Sequence, residues 1–174
     1  MKKFLLAIFA VVTFGSVRAS DTLTRSIPEA KIMIDLPNSS WHLAGKQTNN
    51  GKTVYFFKRD PLTDSAQRVI IPNIGVIVEK VDGKMDVVTW SVLKRANMPL
   101  EVDKMFIHGE GMISFLNAVG YKGKYVDDAK LEHTVYVIHA INNKMGIQLI
   151  FDSTTSVFDQ VDKEFQKVLK SFRK

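Results

Sequence analysis

Apolar and polar positions alternate over most of this chain, and two stretches replace the alternation with a helical period. Residues 30–36 set Ile32, Ile34 and Leu36 at every second position, the period of a strand with one buried face. Pro37, Asn38, Ser39 and Ser40 form a turn, and a second strand starts over 41–45. Asn49-Asn50-Gly51 is a hairpin signal, because Asn and Gly tolerate the positive φ that tight hairpin turns need. The returning strand is 52–58, rich in β-branched and aromatic residues. A polar loop containing Pro61 covers 60–67, and Ile74, Val76 and Val78 mark a further strand over 73–81.

The middle of the chain is less regular. Residues 86–97 predict a helix with Asp86 as N-cap, ended by Pro99, although Val87, Val88, Thr89 and Val92 keep a strand open as the alternative. Residues 100–111 read as a loop closing on Gly109 and Gly111. Strands follow over 118–126, 131–141 and 144–151. A two-residue turn at Asn142-Asn143 would pair Ile138 with Ile147 and Tyr136 with Leu149, on one core face. Ser156 and Asp159 resemble a capping box, with Asp in place of Glu. Phe158, Val161, Phe165, Val168, Leu169 and Phe172 then form an amphipathic stripe, and Lys170, Arg173 and Lys174 suit the negative end of its dipole. This order of elements predicts an α+β fold, an antiparallel β-sheet packed by helices with a long C-terminal helix. One globular domain covers 30–174, and the polar residues 20–29 read as a flexible lead-in.

The N-terminus changes the picture of where the protein works. Lys2 and Lys3 precede a 14-residue apolar run, residues 4–17, and Val17-Arg18-Ala19 matches a cleavage site. Residues 1–19 therefore read as a signal peptide with the mature chain starting at Ser20. The run is short of the roughly 20 residues that span a bilayer as a helix. The expected destination is the periplasm or the medium, with no stable membrane span after processing. The full chain carries a formal charge of +6. Removing residues 1–19 takes away three of 24 cationic side chains and none of the 18 acidic ones, which leaves +3. That balance, without a dense Lys/Arg run, lacks the electrostatic footprint of a nucleic-acid binder. Zero cysteines exclude disulfides, thiolate metal ligands and a cysteine nucleophile.

Three short motifs resemble the PsbP-like group, which shares its fold with the Mog and DcrB proteins. Leu36-Pro37 followed by Trp41 is similar to the group's opening strand and turn. Pro72, Ile74, Val76 and Val78 resemble its central strand, and Phe165-x-x-Val168-Leu169-x-Ser171-Phe172-Arg173 its terminal helix. The resemblance spans roughly residues 30–173 and matches least over 82–117. It implies an α/β/α sandwich and an accessory or binding role, and it carries over no catalytic residue.

Candidate chemistry is sparse. His133 and His139 fall on one strand face, but six residues of strand hold them about 20 Å apart, too far to share a metal. His42, beside Trp41, reads as a surface strand residue. His108 with Glu110, or the Asp127-Asp128 pair, could serve a small hydrolase or metal-dependent enzyme. No P-loop, dinucleotide fingerprint, EF-hand loop or His-Glu-x-x-His occurs, so no residue is assigned to a cofactor or metal. Trp90, with Met85, Met98, Met105 and Met112 around it, is the candidate contact for a partner protein of the envelope or medium. The favoured reading is a non-enzymatic exported binding protein that presents residues 84–117, with the His133, Val135, Val137 and His139 face as the second choice of surface.

Overall fold

The structure, a computed structural model, describes residues 23–174. The elements are β1 (Leu23–Ile27), β2 (Ile32–Leu36), β3 (Trp41–Asn49), β4 (Lys52–Arg59), β5 (Leu62–Thr63), β6 (Val69–Ile70), β7 (Asn73–Lys80), α1 (Val87–Arg95), β8 (Glu101–Ile107), β9 (Ala118–Val126), β10 (Glu132–Asn142), β11 (Met145–Thr154) and α2 (Thr155–Ser171). Seven strands form one antiparallel sheet in the order β3-β4-β7-β11-β10-β9-β8. The antiparallel α+β fold expected from the pattern is present. The signal-peptide reading lies outside the described residues.

One face of the sheet meets α2 and the β1–β2 hairpin. Ile74, Val76, Val78, Tyr136, Ile138, Ile147, Leu149 and Phe151 point to this side, and the stripe Phe158, Val161, Phe165, Val168, Leu169 and Phe172 packs onto them. Phe165 is fully buried among the rings of Trp41, Phe151 and Phe158. At its edge Glu164 accepts from the indole of Trp41 (2.7 Å) and from Arg59 Nε (2.9 Å), which closes the layer with a paired charge. The opposite face carries a smaller cluster of Leu100, Val119, Tyr121, Val135 and Val137, covered by α1.

Several local expectations are corrected. Residues 23–27 are a strand paired with β2, not part of a flexible lead-in, because Ile27 and Leu23 pack against the main core. Residues 101–107 are strand β8, not a loop: it is an edge strand whose only buried side chain is Phe106, so its sequence shows no two-residue alternation. The β10–β11 turn is Asn143-Lys144, both at positive φ, so Ile138 faces Leu149 and Tyr136 faces Phe151. Asn142 stays in the strand because its Nδ2 donates to the Ala30 carbonyl, 2.8 Å away in the core. A two-residue slip keeps every side chain on its face, which is why the core assignment survives the wrong register. Thr154, not Ser156, is the N-cap of α2, and it makes no side-chain capping bond. Ser156 instead donates to Asp64 (3.1 Å), whose carboxyl Arg68 holds down at about 2. The Asp86 cap of α1 and the Asn50-Gly51 turn stand as expected.

Candidate functional site

Helix α1 lands on the second face because the sheet makes room for it. A Cβ at Gly146 would overlap the Trp90 ring, so the glycine gives the indole its seat. Trp90 is 3% exposed and meets the His139 ring edge-on at 5.4 Å. The expectation that Trp90 is a surface anchor is therefore corrected: its indole is the bolt of α1. The neighbouring Ser91 hydroxyl lies 2.8 Å from both the Tyr121 hydroxyl and His139 Nδ1. His139 has no exposed surface, and its Nε2 has no hydrogen-bond partner among the described residues. Burial, with Lys94 and Arg95 nearby, pushes its pKa down to about 4, so it is neutral at pH 7. Lys94 pairs with Glu79.

Arg95 ends α1 and shapes the segment after it. Its guanidinium sits over the Tyr121 ring and donates to the Leu100 carbonyl (3.1 Å). The chain between is thereby pinned into a lip of Met98, Pro99 and Leu100, which stands over the sheet. Beneath the lip lies an apolar cleft of about 230 Å³, floored by Val135, Val137 and Ile150. Ile150 faces Val137, and Asp152 faces Val135 in the adjacent row, so the register fixes both rows.

The cleft has one polar end. Asp152 lines it, with Tyr125 beside it. The Tyr125 hydroxyl donates to Asp152 Oδ2 (2.7 Å), and His133 Nδ1 lies 2.7 Å from Oδ1. His133 Nε2 is 3.3 Å from Asp127 Oδ2, and the Tyr125 ring stacks on the imidazole. Burial and then the Asp152 carboxylate push the Tyr125 pKa up, so the phenol remains a neutral donor. The Leu131 backbone N–H is the main group holding Asp127 below the ordinary carboxylate range, with His133 adding to it.

The structure separates the other candidates. His108 is exposed, and Glu110 accepts from the Ile107 backbone N–H (3.1 Å), so Glu110 braces the end of β8. Asp127 also caps the Leu131 N–H (2.8 Å), while Asp128 is exposed beside it. His42 is an exposed strand residue, as expected. His133 and His139 are on one face but in different settings, one in the carboxylate cluster and one under α1. Among the described residues, no three His, Cys, Asp or Glu side chains are grouped to hold a metal ion. Asp152 and the 98–100 lip do not stand out in the sequence. The usable signal is a lone acid closing the row Gly146, Gln148, Ile150.

This architecture can be matched to known structures. The Ran-binding protein Mog1p of Saccharomyces cerevisiae superposes with a TM-score of 0.55 at 11% identity, over 89% of this chain and 96% of Mog1p. Cyanobacterial PsbP from Synechocystis superposes with a TM-score of 0.54 at 16% identity, over 94% of this chain and 98% of that one. The chain has the PsbP/Mog fold. No protein-family model matches the sequence, and no curated protein matches it either. At these identities the likeness carries the fold alone. Within the PsbP/Mog sheet of this protein, the cleft and its lip come from residues 98–100 on one side and from β9, β10 and β11 on the other.

Proposed function

We propose that this protein acts by holding a protein partner outside the cytoplasm, and that residues 84–117 with the adjoining cleft are its contact surface. The observation that carries the reading is where apolar side chains stay exposed. Val88, Val92, Leu93, Met105, Ile107 and Leu116 are exposed large hydrophobics within this segment. The rest of the described chain adds Leu43, Phe56, Val69, Ile71 and Val126 over more than three times the length. Val88 and Val92 lie one turn apart on α1, and Met105 and Ile107 point to the same side of the sheet as α1 through their pairing with Tyr121 and Val119. Clustered apolar exposure of this kind marks interaction surfaces.

Strand addition is a poor route to either sheet edge. Edge strands β3 and β8 each carry an irregularity, at Leu43/Gly45 and at Val102/Lys104, and each presents a lysine, Lys46 and Lys104. Bulges and lysines protect edges against pairing, so the faces are the available surface. The Ran-binding role of Mog1p supports a protein partner for a chain of the same fold.

Export rests on the pattern of residues 1–19, and among the described residues no helix is long and apolar enough to cross a membrane. N-terminal sequencing of the protein released by osmotic shock should begin at Ser20; an intact Met1 chain found only with membranes would overturn export. The binding surface is tested with the double variant Met105→Asp, Ile107→Asp. Each site is exposed, so stability should change by about 0.5 kcal/mol or less per substitution. Co-purification of the partner from native extracts should be lost, and unchanged co-purification would refute the surface.

A further inference from the structure

We infer that the cleft under the 98–100 lip is a socket for an arginine side chain presented by the partner protein, an inference that rests on the binding reading above. Three features of the cleft select this occupant. Its volume, about 230 Å³, lies below the roughly 300–1,000 Å³ of sites that enclose a whole small molecule. It suits one inserted side chain. Its walls are apolar along their length, from Met98 and Leu100 above to Val135, Val137 and Ile150 below, and its one ionisable acid, Asp152, lies at one end. A side chain that fills it must therefore have an apolar stem and a cationic head.

Spacing and hydrogen-bond capacity choose arginine. The Val137–Ile150 row and the Val135–Asp152 row are two residues apart along the strands, which is about 7 Å. An extended arginine stem covers that span with its guanidinium at the carboxylate. Asp152 already accepts one bond on each oxygen, from Tyr125 on Oδ2 and from His133 on Oδ1. Each carboxylate oxygen has a second lone pair. A planar guanidinium engages two oxygens at once, whereas an ammonium acts as a point charge and is more strongly hydrated. Asp127, across His133, adds a second negative charge close by, and no lysine or arginine is among the residues that line the cleft.

The test uses the purified protein, isotope-labelled for NMR, with Nα-acetyl-arginine methylamide as probe. Its neutral isostere, Nα-acetyl-citrulline methylamide, and the lysine analogue serve as comparisons. The arginine probe should shift the amides of 98–100, 135–137 and 150–152 in a saturable way. Citrulline should bind at least about tenfold more weakly, the loss expected when a charge-assisted bidentate pair is removed. Asp152→Asn should bring arginine down to the citrulline level. Because Asp152 also positions His133 and Tyr125, the arginine–citrulline comparison on the unaltered protein decides the matter independently of that variant. Equal responses to arginine and citrulline, tighter binding of lysine, or arginine binding undiminished in a folded Asp152→Asn protein would each overturn the socket. If the socket fails while Met105→Asp, Ile107→Asp still abolishes partner binding, the partner docks without an inserted arginine and the binding reading stands.

Discussion

On one side of the sheet, a 17-residue helix and a hairpin bury most of the apolar side chains that point toward them; on the other, a nine-residue helix bolts itself down by Trp90 and leaves several apolar side chains in water. The α2 face is dry and aromatic, with Phe165 at its centre and charges confined to its margin. The α1 face mixes a small apolar cluster with the Ser91–Tyr121–His139 hydrogen bonds and the Asp152–His133–Asp127 cluster. Buried polar networks stabilise less than apolar packing of the same volume and fail more abruptly when one partner changes. The first face thus holds most of the fold, and the second, beyond the seat of Trp90 and His139, carries exposed apolar side chains that the fold does not need.

The largest effect should come from the α2 face. Phe165→Ala removes a fully buried ring and should lower the free energy of unfolding by about 3–5 kcal/mol in urea titrations. A loss below about 1 kcal/mol would place the centre of the core elsewhere. Trp90→Ala should follow at about 3 kcal/mol, since the indole is buried but borders an open depression beside Lys94 and Leu93. An unchanged thermal midpoint would return Trp90 to the surface and contradict the seating on Gly146.

The pH dependence sharpens the same contrast. His139 is neutral when folded and has a pKa of about 4, against an ordinary value of 6.5. Between these values the unfolded chain binds more protons than the folded one, so stability is complete above pH 6.5 and declines as pH falls toward 4. From pH 7 to pH 5 the loss should be about 2 kcal/mol. The carboxylates with lowered pKa, such as Asp35 and Glu164, titrate below that window. His139→Gln should flatten the curve from pH 7 to 5 while leaving the steeper acid limb in place. A slope unaltered by the substitution would mean that another group governs it.

The α2 face is readable in the sequence and the α1 face much less so, for physical reasons. Alternation along β7, β10 and β11 and the stripe Phe158 to Phe172 answer to a single buried side, so periodicity reports them directly. Strand β8 reads as a loop because an edge strand with one buried residue has no alternation to detect. Residues 23–27 read as a lead-in because Thr24, Arg25 and Ser26 mask two packing positions. His139 and Trp90 are misplaced together: on sequence alone both face outward, and the packing of α1 on the sheet buries both, one ring against the other. Weak periodicity marks the segment 84–117 as a surface, and its exposed valines, methionine and isoleucine, rather than its tryptophan, support that reading. The cleft depends on where the lip held by Arg95 and Leu100 lands over Val135, Val137 and Ile150, a long-range placement that no local pattern encodes.

The most direct measurement places a photo-crosslinking amino acid at Met105, on the α1 side, or at Lys163, on the solvent face of α2, in cells that make the protein. The account predicts a discrete crosslinked species from position 105 that is absent from position 163. Crosslinking from position 163 instead, or the same species from both positions, would contradict the claim that the α1 side is where this protein meets its partner.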